Sequence, residues 1–314
     1  MKKILSLLLV LSIIGASLLI MVSCEKEKDT PDISIGVMSG PTGMGMAKLM
    51  ADEVDGYTYG IYSDPNTATA DLLNGNIDLL CLPTNVAANL YKKSNGQIQV
   101  LAINCLGSLY LLTDGNTTVN SIEDLDGKTV VASVPNSTTV PIIEFILSKY
   151  DIDVNIEFVA DHDALVAKVV KGEASIVVLP EPKVSAALKQ ASSYSVDLNL
   201  SLEWEKVSDE PLTMGCIVAK TDFIEKNKSA VNDFLKAYEK SIKYIGDEKN
   251  NENAAQMIFD NEIIPALPIA KSALTNLYGS IVYIDGDEMK AALEGFYNAI
   301  NLALPENDFY YNAE

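Results

Sequence analysis

The stretch ISIGVMSGPTGMGMAKLM, residues 33–50, places an apolar run directly before three glycines, a proline and a helix-like segment. It predicts a buried strand over 33–38, a tight turn and a helix over 45–54. Glycines allow a backbone to approach a ligand closely, and a helix start presents unpaired N–H groups. The turn is therefore either a ligand-binding loop or only a strand-to-helix connection. The candidate ligand residues are Ser39, Gly40, Pro41, Thr42, Gly43 and Met44.

The same alternation continues outward from this unit. The strand-like YTYGIYS (57–63) precedes a helical pattern over 67–74, and IDLLCLP (77–83) precedes another over 85–93. Strand, helix and strand at this spacing predict right-handed crossovers and a mostly parallel sheet. Ligands of such sheets bind beyond the carboxyl ends of the strands, where both SGPTG and PTN fall.

The alternation breaks at IQVLAINCLGSLYLLTDG (98–115), which holds two strands with hardly a helix between them. A later strand, EPLTMGCIVAK (210–220), precedes a tail that is helical in pattern up to residue 314. We therefore predict an α/β protein of two lobes, with the first formed by 33–112 and 213–314 and the second by 113–212. The two crossings would form a hinge near Thr113 and Thr213, with a cleft between the lobes.

Further uncharged loops end strands in both predicted lobes. Ser, Thr and Asn at such positions are ordinary helix N-caps, but three loops converging from two lobes would also suit one small ligand. The added candidates are Thr84, Asn85, Ser108, Asn136, Ser137, Thr138 and Glu181. Glu181 is the only carboxylate expected near the cleft, and its alternative role is a surface residue that caps the next turn.

The N-terminus has the form of an export signal. Residues 1–24 combine two lysines, an apolar run and small residues before a cysteine, and the ending MVSC resembles the bacterial lipobox. That resemblance implies acylation of Cys24, a tether over 25–32 and an extracytoplasmic protein held to the membrane by lipid alone. An uncleaved membrane anchor is the alternative.

Composition excludes several classes of function. The formal net charge is -20, and every basic residue is a lysine, so nucleic-acid binding is excluded and no guanidinium can grip an anion. Cys81, Cys105 and Cys216 lie far apart among apolar residues, which predicts buried thiols. The single histidine, His162, stands at an apparent helix start without catalytic partners. We expect no catalytic residue, metal or cofactor, and a small, neutral or weakly charged ligand.

Three segments carry a family resemblance: SLYLLTDGNTTVNSIEDLDGKTVVASVPNST (108–138), LVAKVVKGEASIVVLPEP (165–182) and IVAKTDFIEKNKSAVNDFLKAYEKSI (217–242). They resemble the substrate-binding proteins of ABC importers, in the family that includes nitrate, taurine, sulfonate and thiamine-pyrimidine binders. The resemblance implies a type II two-lobed fold and a monomer that delivers a small-molecule solute to ABC permease and ATPase subunits. It extends to pyrimidine-forming and menaquinone-pathway enzymes, so an exported enzyme is one alternative. A ligand-sensing lobe for a membrane receptor is another, because closure of the lobes would serve sensing as well as import.

Overall fold

The computed structural model describes residues 31–133 and 138–312, which form two sheets covered by helices. The first sheet contains β1 (Ile33–Met38), β2 (Tyr57–Tyr62), β3 (Leu79–Pro83), β4 (Ile98–Leu106), β10 (Thr213–Lys220) and β11 (Ile281–Ile284). The second contains β5 (Leu109–Thr113), β6 (Thr129–Ser133), β7 (Asn155–Val159), β8 (Ile176–Pro180) and β9 (Ser195–Asn199). Asn136, Ser137 and Cys24 lie outside the described residues.

The two sheets repeat one strand arrangement. Their orders are β2-β1-β3-β10-β4-β11 and β7-β6-β8-β5-β9. In the first sheet β1 is parallel to β2 and β3, and β10 is antiparallel to β3 and β4. In the second β6 is parallel to β7 and β8, and β5 is antiparallel to β8 and β9. In each sheet, the strand next to a crossing, β10 or β5, therefore lies antiparallel beside the parallel strands. This arrangement confirms the predicted two-lobed α/β architecture.

Helices cover both sheets. Those of the first lobe are α1 (Pro41–Met44), α2 (Ala47–Ala51), α3 (Pro65–Asn74), α4 (Thr84–Lys93), α9 (Thr221–Lys226), α10 (Lys228–Ile245), α11 (Asn251–Asp260), α12 (Leu267–Asn276) and α13 (Gly286–Ala299). Those of the second lobe are α5 (Thr139–Leu147), α6 (His162–Lys171), α7 (Lys183–Gln190) and α8 (Leu200–Glu205). Short 3₁₀ turns span Ile122–Leu125, Glu248–Asn250 and Asn307–Phe309. None of the helices in the described ranges is long and apolar enough to cross a bilayer.

Local sequence signals account for several helix boundaries. The Asp64 carboxylate caps α3 by accepting from the backbone N–H groups of Asn66 and Thr67, and α3 ends at Gly75 in the left-handed conformation. Asp161 and Gly172 bound α6 in the same way. The helix expected over 45–54 is instead two short helices, α1 and α2, because Pro41 starts a helical turn earlier than the apolar pattern suggests.

The chain leaves the first sheet at Gly107 and Ser108 and returns to it at Thr213. Because β5 already pairs with β8 and β9, the first crossing lies before Leu109, earlier than the hinge expected near Thr113. The helical tail also contains β11, which pairs with β4 on the edge of the first sheet and was not predicted. We use "first lobe" and "second lobe" for the two sheets with their helices.

One hydrophobic cluster runs through both lobes. Trp204 of α8 is fully buried, and its ring lies 4.6 Å from Phe145 of α5 and 5.8 Å from Phe296 of α13. Its indole N–H donates to the Glu210 carbonyl at 2.8 Å. Since Phe145 belongs to the second lobe and Phe296 to the first, the tryptophan joins the two lobes by apolar packing.

Candidate functional site: an interlobe cleft

The turn between β1 and α1 requires its glycines. Gly40 has φ 94° and ψ -159°, a backbone region that is essentially open to glycine alone. A Cβ atom built at Gly43 would lie 2.1 Å from the Met38 carbonyl oxygen, so only glycine lets α1 pack on the end of β1. The Gly40 N–H donates to the Ile263 carbonyl at 3.1 Å. The geometry of the strand-to-helix turn thus accounts for the glycines. The Gly40 N–H, which was expected to face a ligand, donates to the protein instead.

The other residues of this turn have different exposures. Ser39 is exposed, Pro41 and Thr42 are half-buried, and Met44 is fully buried in the core of the first lobe, as is Met46. Packing under the turn therefore accounts for both methionines. Ser39 borders a cavity of about 620 Å³, whose lining also includes Ser63, Phe259, Asp260 and Glu262.

A series of buried polar groups supports the turn between β1 and α1. The register between β4 and β10 shifts at Asn104, because Gly215 and Cys216 face Cys105 and Ile103 on either side of it. The Asn104 amide donates to the Thr42 carbonyl and to the Tyr238 hydroxyl, each at 3.0 Å. Tyr238 lies 3.5 Å from the Cys81 sulfur. Sequence reasoning missed this support because its members come from four distant segments.

The loop after β3 meets the second lobe. Thr84 is fully buried, and its hydroxyl donates to the Thr213 carbonyl at 2.9 Å, which ties α4 to the start of β10. Asn85 is half-buried, and its Oδ1 accepts from the Thr138 hydroxyl at 3.0 Å. Asn85 and Thr138 were both predicted at the cleft, and they form a direct bond between the lobes.

The loop after β8 makes the second interlobe contact. Glu181 is 2% exposed; its Oε1 accepts from the Ser185 hydroxyl at 3.0 Å and from the Asn276 amide at 2.6 Å. Its backbone N–H donates to the Ser108 carbonyl at 2.9 Å. Ser108 is itself buried, beside the first crossing. The Glu181 carboxylate is thus engaged by protein donors from both lobes.

The loops after β1 and β8 also approach each other. A Cβ atom built at Gly40 would lie 3.5 Å from Cδ of Pro182. Together with the Asn85 and Thr138 bond, this contact brings loops from both lobes to one cleft. Of the predicted set, Gly40, Asn85, Ser108, Thr138 and Glu181 therefore lie at contacts between the lobes or beside the first crossing. Ser39 instead borders a cavity lined by first-lobe residues, and Met44 lies in the core.

Burial shifts the pKa of several titratable groups near these loops. Burial raises the pKa of the Cys81 and Cys105 thiols to about 12, so neither is a thiolate at neutral pH. Burial, with the nearby Lys183, lowers the pKa of His162, which favours its neutral form. Within residues 31–133 and 138–312, no three His, Cys, Asp or Glu side chains are grouped so as to hold a metal ion.

Two lysines that stand close to the loops in the sequence are paired with carboxylates. Lys48 bonds to Asp52, and Lys183 bonds to Asp163. Apart from the Glu181 carboxylate, which Ser185 and Asn276 already engage, the loops carry hydroxyls, amides and backbone groups. They can therefore bind a ligand by hydrogen bonding and shape more readily than by an ion pair.

Comparison with known proteins identifies relatives of this arrangement. The model of the family described as "Menaquinone biosynthesis" matches residues 51–301. A comparison with curated protein sequences finds no match.

Solved structures share the fold at low sequence identity. An ABC transporter protein from Parabacteroides distasonis is similar with a TM-score of 0.73 and 20% identity, covering 90% of this chain and 99% of that one. The periplasmic aliphatic sulphonate binding protein SsuA from Escherichia coli gives 0.68 and 16%, covering 87% and 89%. The periplasmic nitrate-binding protein NrtA from Synechocystis PCC 6803 gives 0.59 and 12%, covering 83% and 74%. These similarities confirm the type II periplasmic-binding-protein fold.

Proposed function

This chain belongs to the family described as Menaquinone biosynthesis, and from that membership and its two-lobed fold we propose that it captures a small molecule between its lobes. In this proposal it is an extracytoplasmic lipoprotein, and its closed form delivers solute to an ABC permease and its ATPase subunits. Ligand would bind without covalent chemistry, by stabilising one arrangement of the lobes.

One observation carries the proposal: uncharged loops from both lobes meet through the bond between Asn85 and Thr138. A solute enclosed there would bridge the lobes in place of solvent, which couples binding to closure. The charge pattern supports a neutral or weakly charged, partly apolar solute, because the chain contains no arginine and both Lys48 and Lys183 are paired with carboxylates. The names of two structural neighbours specify sulfonate and nitrate, so these two anions are the natural comparison ligands.

A biosynthetic enzyme is the second candidate, because the family description names a pathway. We favour binding alone because the Glu181 carboxylate at the described cleft already accepts hydrogen bonds from Ser185 and Asn276. Native mass spectrometry of the purified protein would separate the two. A compound that is released unchanged after incubation supports solute binding, whereas its conversion to a product of different mass would favour the enzyme.

Replacing Asn85 by alanine should weaken binding of the compound recovered in that way by about threefold to tenfold, since one neutral hydrogen bond contributes roughly 0.5–1.5 kcal/mol. Calorimetric titration measures the effect. Asn89→Ala is the matched control, because Asn89 lies one turn later on α4 and is exposed. Equal affinities of wild type and Asn85→Ala would remove this loop from the site.

Acylation of Cys24 is a separate prediction of the proposed location. Cys24→Ala should release the protein from membranes or leave the precursor unprocessed, because the thiol is the acceptor of the lipid. Metabolic labelling with a fatty acid measures this directly. Equal labelling of wild type and the variant would contradict a lipid anchor at this cysteine.

A further inference from the structure

Asn276, the last residue of α12, is held by two side chains of the other lobe. Its amide donates to Glu181 at 2.6 Å, and its carbonyl accepts from the Tyr110 hydroxyl at 2.6 Å. Tyr110 stands on β5, just past the first crossing, while Glu181 follows β8. One residue of the first lobe therefore bonds to two separate elements of the second lobe.

The Glu181 carboxylate has no other partner from the first lobe among the described residues. Within its own lobe it accepts from the Ser185 hydroxyl at 3.0 Å and the Ser185 N–H at 3.3 Å. If the lobes separated at this point, Asn276 would withdraw, and water would reach a carboxylate that is now 2% exposed. Hydration of the carboxylate would then favour its ionised form.

The space beside this contact is open. A cavity of about 630 Å³ lies between α7 and the helices α11 and α12, and both Ser185 and Asn276 line it. The two bonds of Asn276 tie the end of α12 to the loop that precedes α7 and to β5.

We propose that Asn276, Glu181 and Tyr110 form an interlobe lock that stabilises the closed arrangement without contacting the ligand. Asn276 and Tyr110 are thus positioning residues, which set ligand affinity through the fraction of closed protein. The lock rests on the proposed function in one respect, namely that movement of the lobes opens the cleft. Its test needs no ligand.

The lock has a defined pH dependence. Burial raises the pKa of Glu181, against the lowering effect of its hydrogen bonds to Asn276 and Ser185. Because opening returns this pKa towards its ordinary value, the closed form is favoured in acid and loses stability as pH rises through the raised pKa. The charged or titratable groups on neighbouring elements are Tyr110, His162, Asp163, Lys183, Lys189, Glu252 and Lys271. Glu181→Gln separates the contribution of Glu181 from theirs.

The deciding experiment compares Asn276→Leu with Asn298→Leu in the ligand-free protein. Asn298 also lies in the last turn of a first-lobe helix, α13, but it is exposed and makes no described side-chain hydrogen bond. Small-angle scattering measures the radius of gyration. Carbon NMR of protein labelled at its glutamate carboxyls measures the Glu181 pKa, with the resonance assigned from Glu181→Gln.

Asn276→Leu should increase the radius of gyration and bring the pKa of Glu181 down towards that of an ordinary glutamate, while Asn298→Leu changes neither. The lock would be overturned if the radius of gyration stayed unchanged and the pKa of Glu181 stayed high or rose further. That result would mean that Glu181 lost the Asn276 donor while the lobes stayed together. If Asn276→Leu does not fold, Tyr110→Phe provides the test, because it removes one of the two bonds and should shift both measurements in the same directions by less.

Discussion

Replacing Trp204 by alanine is expected to lower the free energy of unfolding by about 3–5 kcal/mol, the range typical of large aromatic side chains removed from a core. Trp204 is fully buried and packs against Phe145 of the second lobe and Phe296 of the first. The cavity left behind would adjoin both lobes, so closure and stability should weaken together. Urea unfolding followed by circular dichroism measures the change, because the variant lacks the only tryptophan.

Trp204→Phe is the matched control for this prediction. It keeps an aromatic ring between Phe145 and Phe296 and removes the indole donor to Glu210, whose carbonyl still accepts from the Ser208 hydroxyl at 3.0 Å. The phenylalanine variant should therefore lose clearly less stability than the alanine variant. Equal losses would mean that the indole hydrogen bond, and not the packing between lobes, accounts for the role of Trp204.

The alternation of strands and helices was sufficient to predict the two-lobed α/β fold. Parallel strands joined by helices restrict the chain to few topologies, and the paired strands at 98–115 marked the departure from the first lobe. The position of the first crossing was less predictable. The largely apolar sequence of residues 109–113 is compatible with a strand in either lobe. Only the pairing of β5 with β8 and β9 assigns these residues to the second sheet.

Residues that join the lobes were predictable where they follow a strand and not where they come from elsewhere. Asn85 and Thr138 each stand at the start of a helix, so their loops could be found from local patterns, and the structure joins them. Asn276 could not be found in this way. It lies in a helical stretch and reaches Glu181, 95 residues earlier, through a contact that no local pattern encodes.

Glu181 shows how burial changes the interpretation of a carboxylate. In the sequence it was a candidate ligand residue or a surface cap, and both interpretations assumed contact with solvent or solute. In the structure its oxygens accept from Ser185 and Asn276, and the side chain is closed off from solvent. A buried carboxylate needs such donors, so its partners indicate its role better than its position after a strand.

Gly43→Ala should destabilise the protein by about 1–3 kcal/mol and displace the loop between β1 and α1, as overpacking of a tight site does. The added Cβ would lie 2.1 Å from the Met38 carbonyl oxygen and 2.8 Å from Cγ1 of Val37. Because the first of these is a backbone atom, α1 must move away from the end of β1. That movement would also strain the bond from Asn104 to the Thr42 carbonyl.

Gly60→Ala is the matched control for Gly43→Ala. Gly60 lies on β2 of the same sheet, and the nearest atom to its added Cβ would be in the Tyr62 ring at 3.3 Å, a side chain that can shift. Thermal unfolding and amide hydrogen exchange across residues 39–50 measure stability and loop order. We expect the Gly43 variant to lose exchange protection there and the Gly60 variant to retain it. Similar protection in both would show that α1 can rise from β1 without cost, and that Gly43 is not required for close packing at the cleft.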